Sequence, residues 1–231
     1  MLSQVDGLYA WPYDGPFAPA STALLVIDMQ RDHLDPKGWL AVTGGNFAPL
    51  AAIVPKAAQA LALARAAGLF VAFTVEGHRA DLSDLPANKA WRSQKLGAPI
   101  GSQGILGRHL ILGETGTAII DGLEPRAGEP IVSKPGKSGF INTDLDQILR
   151  KRGIRNLIFA GVTTDGAVQC TLRDANDRGY ECLLLEDASA SDVAAHHADQ
   201  VHTLSLAGGH YGSIATVDAL AQSLASGSAN P

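Results

Sequence analysis

Three polar features of the chain follow apolar runs that the sequence predicts to be buried strands. Asp28 comes directly after the run Ala23 to Ile27, and Lys134 comes directly after a shorter one. The turn from Thr163 to Ala167 follows a third run, NLIFAG. Parallel strands present their carboxyl ends at one edge of a sheet, where ligands bind. We therefore expect a carboxylate, an ammonium group and a turn to meet at that edge.

These groups suit the cleavage of a carbonyl compound. The apolar neighbours of Asp28 would partly desolvate its carboxyl group, which fits a general base or acid. A lysine such as Lys134 favours the thiolate form of a nearby cysteine, and a carboxylate beside both can carry the thiol proton. The turn contains no cysteine, because position 167 is alanine. The pattern thus predicts acid and base groups without a nucleophile.

The elements that would position these groups alternate along the chain. Strands are predicted at residues 23–27, 69–74, 131–133, 156–161 and 182–185 and near 214, and helices at 49–67, 143–152, 167–178 and 193–206 and after the last strand. This alternation predicts an α/β, Rossmann-like three-layer fold with a central parallel sheet of about six strands. Residues 75 to about 130 break the rhythm and are predicted to form a long functional excursion.

Length and composition set further limits. A chain of 231 residues with 46% hydrophobic content can bury one sizeable core, so we predict one domain over residues 21–231 after an N-terminal arm, residues 1–20. The net charge of −5 and the lack of a dense basic run argue against nucleic acid. No apolar run approaches the roughly 20 residues that cross a bilayer. Two cysteines and no secretory leader predict the cytoplasm.

Longer segments resemble the isochorismatase-like cysteine hydrolases. The resemblance spans about Thr22 to Ala219 and rests on IDMQRDHLDPKGW, VSKPGKSGFINTDLDQIL and GVTTDGAVQCTLRDANDRGYECLLLEDA. Together with KPGK, the segment EGHRADLSDLPANKAWRSQ resembles biuret hydrolase and its relatives that act on urea-like amides. The resemblance implies a Cys-Asp-Lys triad in which Asp28 and Lys134 are intact and Ala167 occupies the cysteine position. It also implies an oxyanion hole from the N–H groups of Ala167 and Thr163, with a cis bond before Thr163.

Ala167 leaves several interpretations open. The one we prefer is a Cys to Ala variant of an amidohydrolase, which binds substrate without turnover. A second is an isochorismatase-like hydrolase without a cysteine nucleophile, in which Asp28 is the general acid. A third moves the nucleophile to Cys170, although a cysteine one helical turn deeper is more typical of a core residue. A silent small-molecule binding protein is the non-enzymatic alternative.

Other residues are candidates for substrate binding. The resemblance suggests that Lys137 donates to a substrate carbonyl. Glu76 and Arg79 open the excursion directly after a strand and could line the pocket, as could His78, although loop charges are often only solvated. The paired donors of Arg79 and Arg92 suit a polar or carboxylate group.

The remaining expectations concern substrate and partners. Biuret-cleaving relatives have glutamine where this chain has Ala207, so we predict a related but bulkier or less polar amide than biuret. The histidines show no metal-ligand spacing, and we predict neither a catalytic metal nor a cofactor. The expected partners are a small-molecule amide and further copies of the chain, in a homodimer or homotetramer, with no nucleic acid and no membrane.

Overall fold

The computed structural model describes residues 1–226 and has a six-stranded parallel sheet at its centre. The strands are β1 (Thr22–Ile27), β2 (Phe70–Glu76), β5 (Ile131–Lys134), β6 (Asn156–Val162), β7 (Glu181–Ala190) and β8 (Ser213–Ala215), in the order β5-β2-β1-β6-β7-β8. The short strands β3 (Gln103–Gly104) and β4 (Gly107–Arg108) form a separate antiparallel pair. The chain leaves β1 towards β2 and leaves β6 towards β7, in opposite directions, which opens a crevice at the carboxyl ends of the two central strands.

Nine α-helices occur within residues 1–226. They are α1 (Arg31–Leu34), α2 (Trp39–Val42), α3 (Ala48–Ala52), α4 (Val54–Ala66), α5 (Ala87–Lys95), α6 (Leu145–Lys151), α7 (Gln169–Asp177), α8 (Ala194–Ser205) and α9 (Val217–Ser226). None of those helices is long and apolar enough to cross a membrane.

The core consists of two apolar layers, one on each face of the sheet. Every residue of β1 is buried, as a central parallel strand requires. Because side chains alternate along a strand, Leu24 packs with α4 and α9 on one face and Leu25 with α6 and α7 on the other. The three-layer α/β fold and the six-stranded parallel sheet predicted from the sequence are confirmed.

Details of the elements differ from the sequence prediction. β2 continues to Glu76, so this residue ends a strand instead of opening the excursion. The helix predicted over 49–67 is divided at Ile53 into α3 and α4. The excursion contains α5, which its polar composition concealed. Residues 1–20 are also more than a surface extension, since Val5, Trp11 and Phe17 are fully buried or nearly so.

Candidate active site

The carboxyl ends of β1, β2 and β5 bring three ionisable side chains together. Asp28 follows β1 directly, while Glu76 and Lys134 end β2 and β5 and are paired in the sheet register. All three side chains are buried. Lys134 Nζ donates to Asp28 Oδ2 at 2.6 Å and to the Gly136 carbonyl at 3.1 Å. The ammonium and the carboxylate neutralise each other where water cannot solvate them.

The second oxygen of the Asp28 carboxylate is also held. Thr74 Oγ1 donates to Asp28 Oδ1 at 2.6 Å, and Thr74 lies on the neighbouring strand. The backbone of Asp28 has φ of +50°, a left-handed conformation that costs a non-glycine residue roughly 1 kcal/mol or more. This turn of the backbone directs the chain away from the sheet straight after the acid, so that the carboxylate lies at the floor of the crevice.

A second cluster surrounds Glu76. Lys89 Nζ lies 2.6 Å and Lys137 Nζ 2.9 Å from its carboxylate oxygens, and Lys134 Nζ lies 4.0 Å away. Gln30 fixes the strand end by donating to the Glu76 carbonyl at 2.9 Å and accepting from its N–H at 2.7 Å. The carboxylate of Glu76 therefore orients two lysines and has little capacity left for a substrate.

Burial and charge act in opposite directions on this cluster. Burial alone would raise the pKa of Glu76, but the charges of Lys137, Lys134 and Lys89 outweigh it and hold that pKa well below its ordinary value. Burial lowers the pKa of Lys89 despite the contact with Glu76. For Lys137 the attraction of Glu76 exceeds the effect of burial, and its pKa is raised.

Above these groups lies an inner cavity of about 160 Å³. It is lined by Asp28, His33, Trp39, Leu40, Glu76, Lys137, Val162, Thr163, Ala167 and Asp192. The structure thus brings together six of the seven residues predicted for the site: five line the cavity with Glu76 among them, and Lys134 contacts Asp28 beneath it. The peptide bond between Val162 and Thr163 is cis, as the resemblance implied.

An outer cavity of about 380 Å³ adjoins the inner one. The two share Trp39, Glu76 and Lys137 as lining residues. The rest of the outer wall comes mainly from α5 and its flanks, with Pro86, Asn88, Lys89, Arg92, Ser93, Leu96, Ile100, Pro135 and Gly136. Trp39 is positioned between the cavities by its indole N–H, which donates to the Ala98 carbonyl at 2.9 Å.

The placement of Arg79 corrects one sequence prediction. Arg79 does not line the inner or the outer cavity but a separate one, together with Ser83 and Asp84. Beyond β2, His78 forms a β-bridge with Ile111, and Arg79 after it lines a different cavity from Glu76. His78 is fully buried, with Nδ1 3.2 Å from Asp84 Oδ1, and it lines neither cavity of the site.

Several residues of the site escaped the sequence prediction. Lys89 and Trp39 lie in polar or short helices without a strand before them, and Thr74 is one residue of an apolar strand. The spacing of Asn88, Lys89 and Arg92 on one helical face was the only available signal. Ala207 lies in the turn Leu206–Gly208 and lines neither cavity.

Two histidines after β7 lie close to polar side chains, which the sequence did not predict. His197 Nδ1 lies 2.8 Å from Thr164 Oγ1. Asp165, Asp192 and His196 each place one potential ligand atom within 4.8 Å of the others. Exposed acidic groups often cluster in this way without a metal, and the absence of a catalytic metal stays a prediction.

Comparison with known proteins defines the class of this fold and site. The chain matches the isochorismatase domain over residues 22–216 and therefore belongs to the isochorismatase family, which confirms the family predicted from the sequence. Ureidoacrylate amidohydrolase RutB of Azorhizobium caulinodans is 37% identical over 175 residues, 74% of this chain and 77% of that protein. The protein of the same name from Yersinia enterocolitica is 35% identical over 185 residues, 79% of this chain and 80% of that protein.

Solved structures show the same similarity. A cysteine hydrolase from Pseudomonas syringae pv. phaseolicola superposes with a TM-score of 0.78 at 27% identity, covering 98% of each chain. N-carbamoylsarcosine amidase from Thermoplasma acidophilum gives a TM-score of 0.64 at 27% identity, covering 86% of this chain and 97% of that one.

Proposed function

We propose that this chain has the active site of an amidohydrolase that cleaves a C–N bond of a small ureido amide, with residue 167 at the point of attack. The names of the relatives confirm the predicted class, a hydrolase acting on non-peptide C–N bonds. The observation that carries the proposal is that Asp28, Thr163 and Ala167 line one small cavity whose acid is paired with Lys134.

With cysteine at position 167, the arrangement supports nucleophilic catalysis. Asp28 takes the thiol proton, and the ammonium of Lys134 stabilises the anionic groups around it. The thiolate attacks the ureido carbonyl, the backbone N–H groups of Thr163 and residue 167 stabilise the oxyanion, and the amine leaves with the proton that Asp28 returns. Water then hydrolyses the carbamoyl thioester and regenerates the thiol.

With alanine at position 167, the same cavity binds but does not attack. A methyl group has no lone pair to add to a carbonyl, whereas the backbone donors and the Asp28–Lys134 pair are independent of that side chain. We therefore expect the chain as it stands to bind a ureido amide without turnover. The cytosolic location, the homo-oligomeric state and the independence from cofactors stay predictions.

The test is to introduce the thiol. Ala167→Cys should release ammonia or an amine from N-carbamoyl compounds, while Ala167→Ser, which is nearly isosteric but a weaker nucleophile, should be far slower. Adding Asp28→Asn to Ala167→Cys should abolish the gain. If Ala167→Cys shows no hydrolysis of biuret, triuret, guanylurea or N-carbamoyl amino acids, the amidohydrolase proposal fails, and biuret as the best substrate would refute the prediction from Ala207.

A second function is favoured by one observation, the intact buried Asp28 beside a side chain that cannot attack. An isochorismatase-like hydrolase without the nucleophile would use Asp28 to protonate a vinyl ether. Release of pyruvate from isochorismate by the unmodified chain, lost in Asp28→Asn, would support this function over the amidase. Ligand binding with no turnover of either kind would favour the silent binding protein.

A further inference from the structure

His33 is a buried polar residue of the inner cavity that the proposed mechanism does not use. The residue is 8% exposed and lines the cavity together with Asp28 and Ala167. It belongs to α1, and its main-chain N–H donates to the Gln30 carbonyl at 3.0 Å, which holds it close to the end of β1. An imidazole ring is therefore fixed at the wall of the space in which the ureido group is placed.

One hydrogen bond determines which ring nitrogen of His33 carries the proton. Nδ1 lies 3.2 Å from the main-chain carbonyl oxygen of Asp28. A carbonyl oxygen only accepts, so Nδ1 is the donor in this bond. In the neutral ring Nε2 then has no proton and keeps a lone pair that accepts. This nitrogen has no hydrogen-bond partner within residues 1–226, so the cavity wall has an acceptor free for a ligand.

The other ionisable side chains of the inner cavity are less suited to accept from a buried ligand. Each oxygen of the Asp28 carboxylate already accepts a hydrogen bond. Both oxygens of Glu76 contact lysine ammonium groups, and Lys137 has only donors. Asp192 is partly exposed, so water reaches its carboxylate. His33 thus has the acceptor that depends most on a ligand.

A ureido group has N–H groups that need such an acceptor. Its carbonyl oxygen is assigned to the backbone N–H groups of Thr163 and Ala167, which leaves its own N–H groups to be paired. A cavity of about 150 Å³ accommodates one small molecule such as benzene. At about 160 Å³, the inner cavity has little room for water beside a ureido group. An N–H group without a partner in this space would weaken binding.

We propose that Nε2 of His33 accepts a hydrogen bond from the terminal NH2 of the substrate, which makes His33 a specificity-determining residue. The ring then selects a carbamoyl group over an acetyl group, which has the same shape but a methyl group in place of NH2. The substrate in this proposal rests on the proposed function. The recognition itself is measurable without catalysis, because the chain with Ala167 does not consume a ureido ligand.

The imidazole nitrogens of His33 can be observed by NMR. In the full chain labelled with ¹⁵N-histidine, at about pH 8, where a free histidine ring is neutral, the spectrum separates protonated from unprotonated ring nitrogens. The His33 signals are those missing from His33→Gln. We expect an unprotonated Nε2 whose signal shifts on addition of butylurea and much less on addition of N-butylacetamide. Butylurea should bind about 10-fold more tightly than N-butylacetamide.

Two substitutions separate ligand recognition from a merely structural role of His33. The amide of asparagine can replace Nδ1 and keep the hydrogen bond to the Asp28 carbonyl, whereas the amide of glutamine reaches the place of Nε2 and keeps an acceptor. His33→Asn should therefore lose most of the preference for butylurea, and His33→Gln should keep part of it. His202 is exposed on α8, so His202→Asn is the control and should keep all of it. Isothermal titration measures the affinities.

The outcomes separate the role of His33 from the proposed function. A protonated Nε2, equal affinity for the two ligands, no binding of either at its solubility limit, or a preference that survives His33→Asn would overturn the role of His33. A preference that depends on His33, in a protein whose Ala167→Cys variant is inactive, would support that role and refute the amidohydrolase. If Ala167→Cys is active, adding His33→Asn should raise KM with little change in kcat, because the bond to NH2 is made equally in the ground and transition states.

Discussion

The inner and outer cavities are built from different kinds of structure. The inner one is formed by strand ends and the turn after β6, and its ionic pair is buried and neutral. The outer one is formed by α5 within the excursion, and its charges are partly exposed and unbalanced. A change to the inner wall disturbs the sheet, whereas the outer wall is built mainly from one helix and its flanks. Lys89 links the two regions, because this residue of α5 contacts the buried carboxylate of Glu76.

The largest difference in folding stability is expected between alanine substitutions at two glycines. A side chain at Gly161, where φ is +127°, would overlap the backbone carbonyl of Ile27 in the adjacent strand. Gly161→Ala should therefore destabilise the fold by about 4 kcal/mol or more, or prevent folding. Gly136, on the outer wall, has no atom within 4 Å of such a side chain, so Gly136→Ala should be tolerated. Urea denaturation measures the free energy of unfolding of both variants. An equal loss of stability in the two variants would contradict the expected difference between the inner and outer regions.

The buried pair should give the next largest effect. Lys134→Met leaves the Asp28 carboxylate unpaired at 0% exposure and should reduce the free energy of unfolding by about 3–5 kcal/mol. Adding Asp28→Asn should restore much of the loss, because the uncompensated charge is then gone. Arg150→Ala breaks an exposed pair with Asp146 and serves as the control, with an unchanged unfolding midpoint. A double variant no more stable than Lys134→Met would show that packing, rather than charge, dominates.

The smallest effect concerns pH. The pKa of Glu76 in the folded chain lies well below 4.5, because burial is outweighed by its three lysines, so the unfolded chain binds this proton first as pH falls. The stability from Glu76 is present above about pH 4.5 and is lost as pH falls through the folded-state pKa. Glu76→Gln should reduce the slope of unfolding free energy against pH below 4.5 by up to about 1.4 kcal/mol per pH unit. Identical slopes in both proteins would contradict this.

The residues of the inner cavity were easier to predict from the sequence than those of the outer cavity. Asp28, Lys134, Thr163 and Ala167 were predictable because each lies at the carboxyl end of a strand or in the turn that follows it, and the ends of parallel strands meet at one edge of the sheet. The position of Arg79 was not, because the residues after β2 are placed by a bridge between His78 and Ile111, a long-range pairing that the sequence does not indicate. Lys89 was missed because its role depends on a contact across 13 residues with Glu76, which no local pattern records.

The N-terminal arm also affects whether a further strand can pair with the edge of the sheet. Leu8 donates its N–H to the Ile214 carbonyl at 2.9 Å, and Tyr9 bonds to Ser213, so the arm occupies polar groups along the outer side of β8. An edge strand with unpaired N–H and C=O groups can pair with a strand of another polypeptide, by β-augmentation. An edge strand whose backbone groups are already hydrogen-bonded resists this pairing. The sheet has two edge strands, β5 and β8. Because the arm contacts β8, an added strand would pair more readily with β5.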